Sequence, residues 1–504
     1  MARVAHILAF WALAVAGAGA GGAAAETRPG YGGEIAASII GEPASMDPVL
    51  ARNDAELWLV GLLFDTLYRV DDAGRVLPHL AAALPEAADD GRAVRIELRR
   101  QVAFHDGAEL GAEDVARSLE RARASASGWL LSPIDAVWSE GDDVIVVEVA
   151  TAGVELERLL AAPVASITPG GRPPGARPVG SGPFELASIA RGQKRISLRA
   201  FDGYFAGRPY VDRLELRWFS RAGDEARRYE AGRAHVSLRG DAAFAGNRPR
   251  YETRVAEGAA ATLTYVGFGR SEPAIADSAL FRRALSLAIG RRGFRTIGAG
   301  ERVIPAVTPS PPDLGGPAVD PDRAWGRPAE AEAIARRAAA QSARMRALFG
   351  DDGPSLEVLV DESRPEDRLV AEKVVAALFG LGLKAHIAEA PAAELARRAR
   401  RGECALYIGQ LAAPLPHAHV QLAAALAAGD RQREAARLVS GAIGADAALA
   451  RFDAELPIVP LFHRATRAHY RADVYGLAFD PAGRLLHADL FFFGEPARTR
   501  GRAR

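Results

Sequence analysis

Between residues 329 and 408 the chain alternates helical and strand-like stretches at short intervals, and this alternation narrows the possible folds more than any other feature. The spacing predicts helices over 329–348, 368–379 and 391–400, separated by strands over 356–360, 384–387 and 405–408. Strands joined through helices form a sheet by crossover connections, so this region is expected to be an α/β unit with its own sheet. Pro391 suits the first helical position, where the missing N–H costs nothing.

Upstream the pattern changes. Residues 33–40 read as a first strand that stops in Gly41-Glu42-Pro43-Ala44-Ser45-Met46-Asp47-Pro48, where a glycine and two prolines break regular structure. Leu57, Val60, Leu63, Phe64 and Leu67 recur at helical spacing and predict a helix over 57–70. Residues 93–99 alternate as a half-buried strand, and Phe104-His105-Asp106-Gly107 turns the chain. A helix then starts at Ala112, with Glu113 and Asp114 at its positive end. Residues 144–149 form a strand, 168–178 a Gly/Pro-rich surface linker, and 180–218 a β-rich unit. Further on come a strand at 262–268, a helix at 281–289, a loop at 305–321 and a closing strand at 457–462.

The N-terminus has Arg3, an apolar run from Ile7 to Val15 and the small residues Ala23-Ala24-Ala25. These are the parts of a secretory signal peptide, with Glu26 as the expected mature start. A membrane anchor is the competing reading, but the run is shorter than the roughly 20 apolar residues a span requires. The chain's one cysteine, Cys404, is far from the cleavage site, so no lipoprotein and no internal disulfide is expected. After cleavage about 480 residues would remain, which exceeds one hydrophobic core and predicts two or three domains. The 63 basic residues, nearly all arginine, balance 63 acidic ones. A balanced chain has no net field that favours nucleic acid or an anionic membrane.

Signatures of chemistry are sparse. The sequence has no G-x-S-x-G elbow, Walker loop, H-E-x-x-H or C-x-x-C. Cys404, at the edge of a strand, reads as a small buried hydrophobe, so no catalytic residue and no cofactor is expected. His417-Ala418-His419 would share a face on a strand and chelate a metal, but Pro414 and Pro416 favour a loop and two solvated histidines. His105 reads as a turn residue. Glu42 follows a strand at a break, where α/β lobes present ligand contacts, and a capping carboxylate is the equal alternative.

In order along the chain, these segments resemble the family 5 (peptide/nickel-type) extracellular solute-binding proteins of ABC importers. Leu98-Arg99-Arg100-Gln101-Val102-Ala103-Phe104-His105-Asp106-Gly107 followed by Ala112-Glu113-Asp114-Val115 is similar to the family's L-R-x-x-V-x-F-H-D-G…A-E-D-V signature. Gly41–Pro48, Gly180-Ser181-Gly182-Pro183-Phe184, Gly207-Arg208-Pro209-Tyr210-Val211-Asp212, Phe281–Ile289 and Leu456–Phe462 resemble its other motifs. The resemblance implies an α/β, bilobed periplasmic-binding-protein fold of type II with an extra domain inserted in lobe one. Lobe one would comprise 26–63, 175–262 and 458–504, the inserted domain 64–174, and lobe two 263–457. It further implies a periplasmic monomer without enzymatic activity. A small molecule, by default a peptide, would be captured by hinge closure and delivered to an ABC permease and ATPase complex, with no nucleic acid involved.

The chain departs from the family at Gly290, where an aspartate is usual, and over residues 407–420. Peptide-binding members carry an aspartate and a tryptophan there, whereas this segment has neither. A buried ligand ammonium would lack its partner charge. The Ala-Pro followed by histidine is similar to nickel-type members, which makes a metal chelate the alternative ligand. The candidate binding residues are Glu42 and Ala44 after the first strand, Tyr265 where the chain crosses between lobes, and Tyr407, Gln410, His417 and His419. A periplasmic peptide hydrolase and a sensor subunit without a permease are the readings from other classes.

Overall fold

The computed structural model describes residues 30–87, 92–151, 153–238, 249–250, 253–297, 302–318, 326–350, 352–486 and 492–493. The expected signal peptide at 1–25 and mature start at Glu26 lie outside them.

Two long antiparallel strands, Thr253–Phe268 and Val459–Arg471, run through the molecule and pair from Thr253↔Arg471 to Val266↔Val459. Beside the first of them lies Leu406–Leu411, then Leu356–Asp361 and Ala385–Ala390 in parallel. These three are linked through the helices Pro365–Gly380 and Ala392–Arg401, as the alternation predicts. Beside the second long strand follow Val236–Ser237, Glu34–Ser38, Arg213–Arg217, Arg195–Ala200 and Phe184–Ala190. The ladder is thus one path of ten strands, with Val303–Pro305 as an eleventh paired to the second long strand off that path, and its two halves are joined by the long pair.

Each half has its own apolar core. In the first, Ile35, Leu59, Phe184 and Trp218 are fully or almost fully buried; in the second, Val266, Phe281, Leu285, Val358 and Val374 are. We call these halves the first and second lobes. Between Glu34–Ser38 and Phe184–Ala190 the chain builds a separate four-stranded antiparallel sheet in the order Glu86–Ala87, Ala93–Glu97, Val144–Val149, Ile134–Ser139. The helix Ala112–Arg123 lays Val115 and Leu119 over Ile96, Ile145 and Val147. This third core does not stop at the small sheet. Leu130 and Leu131 of the turn Gly128–Leu131 share it with Leu422, Leu426 and Leu438 from the second lobe's helices Ala418–Ala428 and Gln432–Val439. Burying one leucine side chain stabilises by about 1.5–3 kcal/mol, so this shared core holds the small domain against the second lobe.

The F-H-D-G and G-S-G-P-F motifs turn out to face each other. The His105 Nδ1 accepts the Gly180 N–H at 3.2 Å, which leaves Nε2 protonated to donate to the Gly182 carbonyl at 2.9 Å. Burial pushes the imidazole pKa down. A neutral ring therefore pins the small sheet to the first lobe.

Several sequence expectations need correction. The helix expected over 57–70 is Asp54–Leu63, and the chain then turns into the strand Tyr68–Val70. Asn53 starts this helix by accepting the Glu56 N–H, and Leu63 ends it where Gly182 donates to its carbonyl at 3.1 Å. A side chain at Gly180 would come within 1.9 Å of that carbonyl oxygen, so the glycines define the stop. The strand expected at 262–268 begins at Thr253, drawn out by its partner through three register shifts. The linker expected at 168–178 starts as a packed turn. There Thr168 exchanges hydrogen bonds with Ser118, and Gly170 N–H donates to Asp114. The histidines expected in a loop sit at a helix start: His417 is the N-cap of Ala418–Ala428 and His419 lies in its first turn.

Candidate functional site

The loop after the first strand, residues 41–53, faces the second lobe. Gly41 adopts φ +81, and an added Cβ would sit 2.3 Å from the Arg364 Nε, so only glycine lets Arg364 lie against this backbone. The Glu42 N–H donates to the Ser363 Oγ at 2.8 Å, and Ser363 donates onward to Asp361 at 2.7 Å. At the other end of the loop the Ala412 N–H donates to the Arg52 carbonyl at 2.9 Å. These bonds cross from one lobe to the other and would break if the lobes parted.

Glu56 shapes the loop from within. Its two carboxylate oxygens accept the N–H groups of Ala44 at 3.0 Å and Arg52 at 2.9 Å. Burial raises its pKa, against the stabilising effect of those donors. Asp54, also raised by burial, accepts both ways from the Thr262 hydroxyl at 2.8 Å and has Arg464 at 3.9 Å. Asp47 is tied to Arg121 of the small domain. Across the cleft, Arg364 pairs with Asp361 at 3.3 Å. Asp367, fully enclosed, is pushed up to about 7 by burial, with Arg364 pulling the other way.

Between the loop, the turn Gly128–Leu131 and the segment 411–424 lies a cavity of about 40 Å³, lined by Pro48, Arg52, Leu57, Trp129, Leu411 and Ala412 among others. It has room for about three waters. A larger cavity of about 150 Å³ lies on the other side of Leu57 and Pro163, where the first lobe meets the small domain. On its wall Asp65 accepts from Ser181 at 2.9 Å and Tyr204 at 3.2 Å, and His79 lies 2.8 Å from it. The serine bonds the aspartate and not the histidine, so this is not a nucleophile–base arrangement.

The sequence-derived candidates fall around the small cavity and do not line it. The Glu42 carboxylate pairs with Arg191. The Ala44 N–H is held by Glu56. Tyr265 and Tyr407 stack edge to face at 6.0 Å, and burial raises both phenol pKa values. Gln410 donates to Asp367 at 3.2 Å. His417 and His419, both exposed, have ring centroids 4.8 Å apart, and the His417 Nδ1 accepts the His419 N–H at 3.3 Å. Among the described residues no group of three or more His, Cys, Asp or Glu could hold a metal ion. Arg52 and Trp129 were not singled out from the sequence. The available signal for Arg52 was its position four residues beyond Pro48, the end of a recognised motif.

Comparison with known proteins bears on the family and the fold. The sequence pattern described as "Bacterial extracellular solute-binding proteins, family 5 Middle" matches residues 75–432. The oligopeptide-binding protein AppA of Bacillus subtilis is 25% identical over 314 residues, 58% of this chain and 56% of that protein. The chain therefore spans about half the length of this curated relative, and about a third of others it matches. The structure of AppA in complex with a nonapeptide superposes with a TM-score of 0.74 at 17% identity, covering 93% of this chain and all of that one. The structure of Staphylococcus aureus NikA in complex with Ni(L-His)2 gives 0.70 at 16% identity, covering 91% and 99%. At these identities the superpositions carry the fold alone.

Proposed function

This chain belongs to the bacterial extracellular solute-binding proteins of family 5, and on that premise we propose that it is the periplasmic receptor of an ABC importer that captures a small solute, by default a peptide. The observation that carries the reading is the loop 41–53, bonded across to Ser363 and Ala412 and roofing a cavity between two lobes joined by one pair of strands. A two-strand connection bends more easily than either packed lobe, so opening there would admit a ligand and closing would enclose it. We assign 64–174 to an inserted domain, 26–63, 175–262 and 458–504 to lobe one, and 263–457 to lobe two. The ligand would meet Ala44, Tyr407 and Gln410 as the cleft widens, with Glu42 and Tyr265 behind them. A monomer would hand the solute to a membrane permease and its ATPase without altering it.

A metal chelate is the second reading, supported by the adjacency and exposure of His417 and His419. Thermal unfolding against di- to pentapeptides, nickel with histidine, and sugars tests both. A ligand at a hundredfold excess over its Kd stabilises by about 2.7 kcal/mol. A rise in Tm with peptides supports the first reading. A rise with nickel–histidine alone, lost when both histidines become alanine, supports the second. No rise with any compound contradicts both.

A further inference from the structure

The larger cavity, of about 150 Å³, is walled only by the first lobe and the small domain, and Leu57 and Pro163 partition it from the interlobe cavity. An apolar cavity of that volume takes benzene, so this one accommodates a compact body of about six to eight non-hydrogen atoms. The helix Asp54–Leu63 forms one side with Leu57, Trp58, Val60 and Gly61, and Phe64 and Leu485 add apolar surface. Two residues of that helix are not accounted for by packing. Trp58 is 5% exposed, and its indole N–H meets no acceptor among the described residues. Buried donors are normally paired, so an unpaired one on a cavity wall marks where a ligand's acceptor belongs. Gly61 lies inside the helix, where glycine is less favourable than alanine. A Cβ there would meet nothing within 4 Å, so no neighbour excludes a larger residue. What the glycine keeps open is the cavity it lines.

The charged groups on the wall decide the ligand's charge. Asp65 is buried and already accepts from Ser181 and Tyr204, with His79 at 2.8 Å. Arg484, bound to Asp480 at 2.6 Å, and Arg69 lie on the same wall. Any net charge would meet like and unlike neighbours in one small space. Attraction and repulsion then offset each other while the desolvation cost remains, which favours an uncharged ligand. We propose that this cavity is a second ligand site, for an uncharged, ring-sized molecule whose carbonyl oxygen accepts the Trp58 N–H. It is independent of what the interlobe cleft takes.

Cyclohexanone is the probe, with binding to the chain followed by saturation-transfer NMR. Saturable binding to the parent is expected. Trp58→Phe keeps an apolar ring and removes the donor, and should weaken binding about three- to tenfold, the worth of one neutral hydrogen bond. Gly61→Leu fills the cavity and should abolish binding. Leucine suits an exposed helix position, so this variant decides the matter even if Trp58→Phe misfolds. Cyclohexylammonium and cyclopentanecarboxylate, of similar size, should bind more weakly than the ketone by about tenfold or more. The inference is overturned if cyclohexanone does not bind the parent, binds Gly61→Leu or folded Trp58→Phe as tightly, or is matched by either charged probe. Each of these results leaves capture in the interlobe cleft to its own test.

Discussion

Across the ladder between the first long strand and Leu406–Leu411, Tyr265 sits opposite Gly409, and Gly267 opposite Tyr407. Each ring lies over the facing glycine: a Cβ on Gly409 would come 2.3 Å from the Tyr265 ring, and one on Gly267 2.1 Å from that of Tyr407. The backbone there is so closely covered that no side chain fits. Gly409→Ala should therefore lower stability by about 1–3 kcal/mol through overpacking, read from the denaturant midpoint. A second residue-level consequence concerns Asp367. Folding raises its pKa from 3.8 to about 7 through burial. Between those values the folded chain keeps a proton that the unfolded chain has released, so stability falls as pH rises through that window. Asp367→Asn stays neutral throughout. Its Tm should match the parent's near pH 4 and exceed it by about 2–4 °C at pH 8; equal Tm values at both pH values would contradict the shift.

At the level of elements, the helix Asp54–Leu63 matters most, because its first turn anchors the cleft loop. Asn53 caps it by accepting the Glu56 N–H at 3.1 Å, and Glu56 in turn holds Ala44 and Arg52. Asn53→Ala should cost about 1 kcal/mol in thermal or chemical unfolding, and should also loosen ligand binding because the same turn holds the loop 41–53 in place. This helix also marks the limit of what the sequence discloses. Its apolar spacing was legible, but its ends were not. The start depends on a cap, and the stop depends on Gly180 and Gly182, more than a hundred residues away. The parallel strands and helices of the second lobe were legible because each carries its own period. The extension of Thr253–Phe268 through Gly258 and an alanine run was not, since its partner strand imposes it. In the site, Glu42 stood out as a carboxylate at a break and Gln410 through the segment compared with the family, but their side chains go to Arg191 and Asp367. Arg52 carried only its position just beyond the Pro48 motif as a signal, and its place on the small cavity shows only in the fold.

For the whole molecule, the apolar core shared by the turn Gly128–Leu131 and the helices Ala418–Ala428 and Gln432–Val439 means that opening exposes leucines to water. A ligand that bridges the lobes offsets that exposure, so capture and closure are thermodynamically linked. The covalent links across the ladder are the two long strands, and among the described residues no helix is long and apolar enough to cross a membrane. The most direct test of the central claim, capture of a small solute without chemistry, is titration calorimetry over a panel of di- to pentapeptides with mass spectrometry of the peptide afterwards. The account predicts a saturable heat of one ligand per chain for at least one peptide, recovered intact. Heat with no member of the panel, or a peptide consumed in proportion to time, would contradict it.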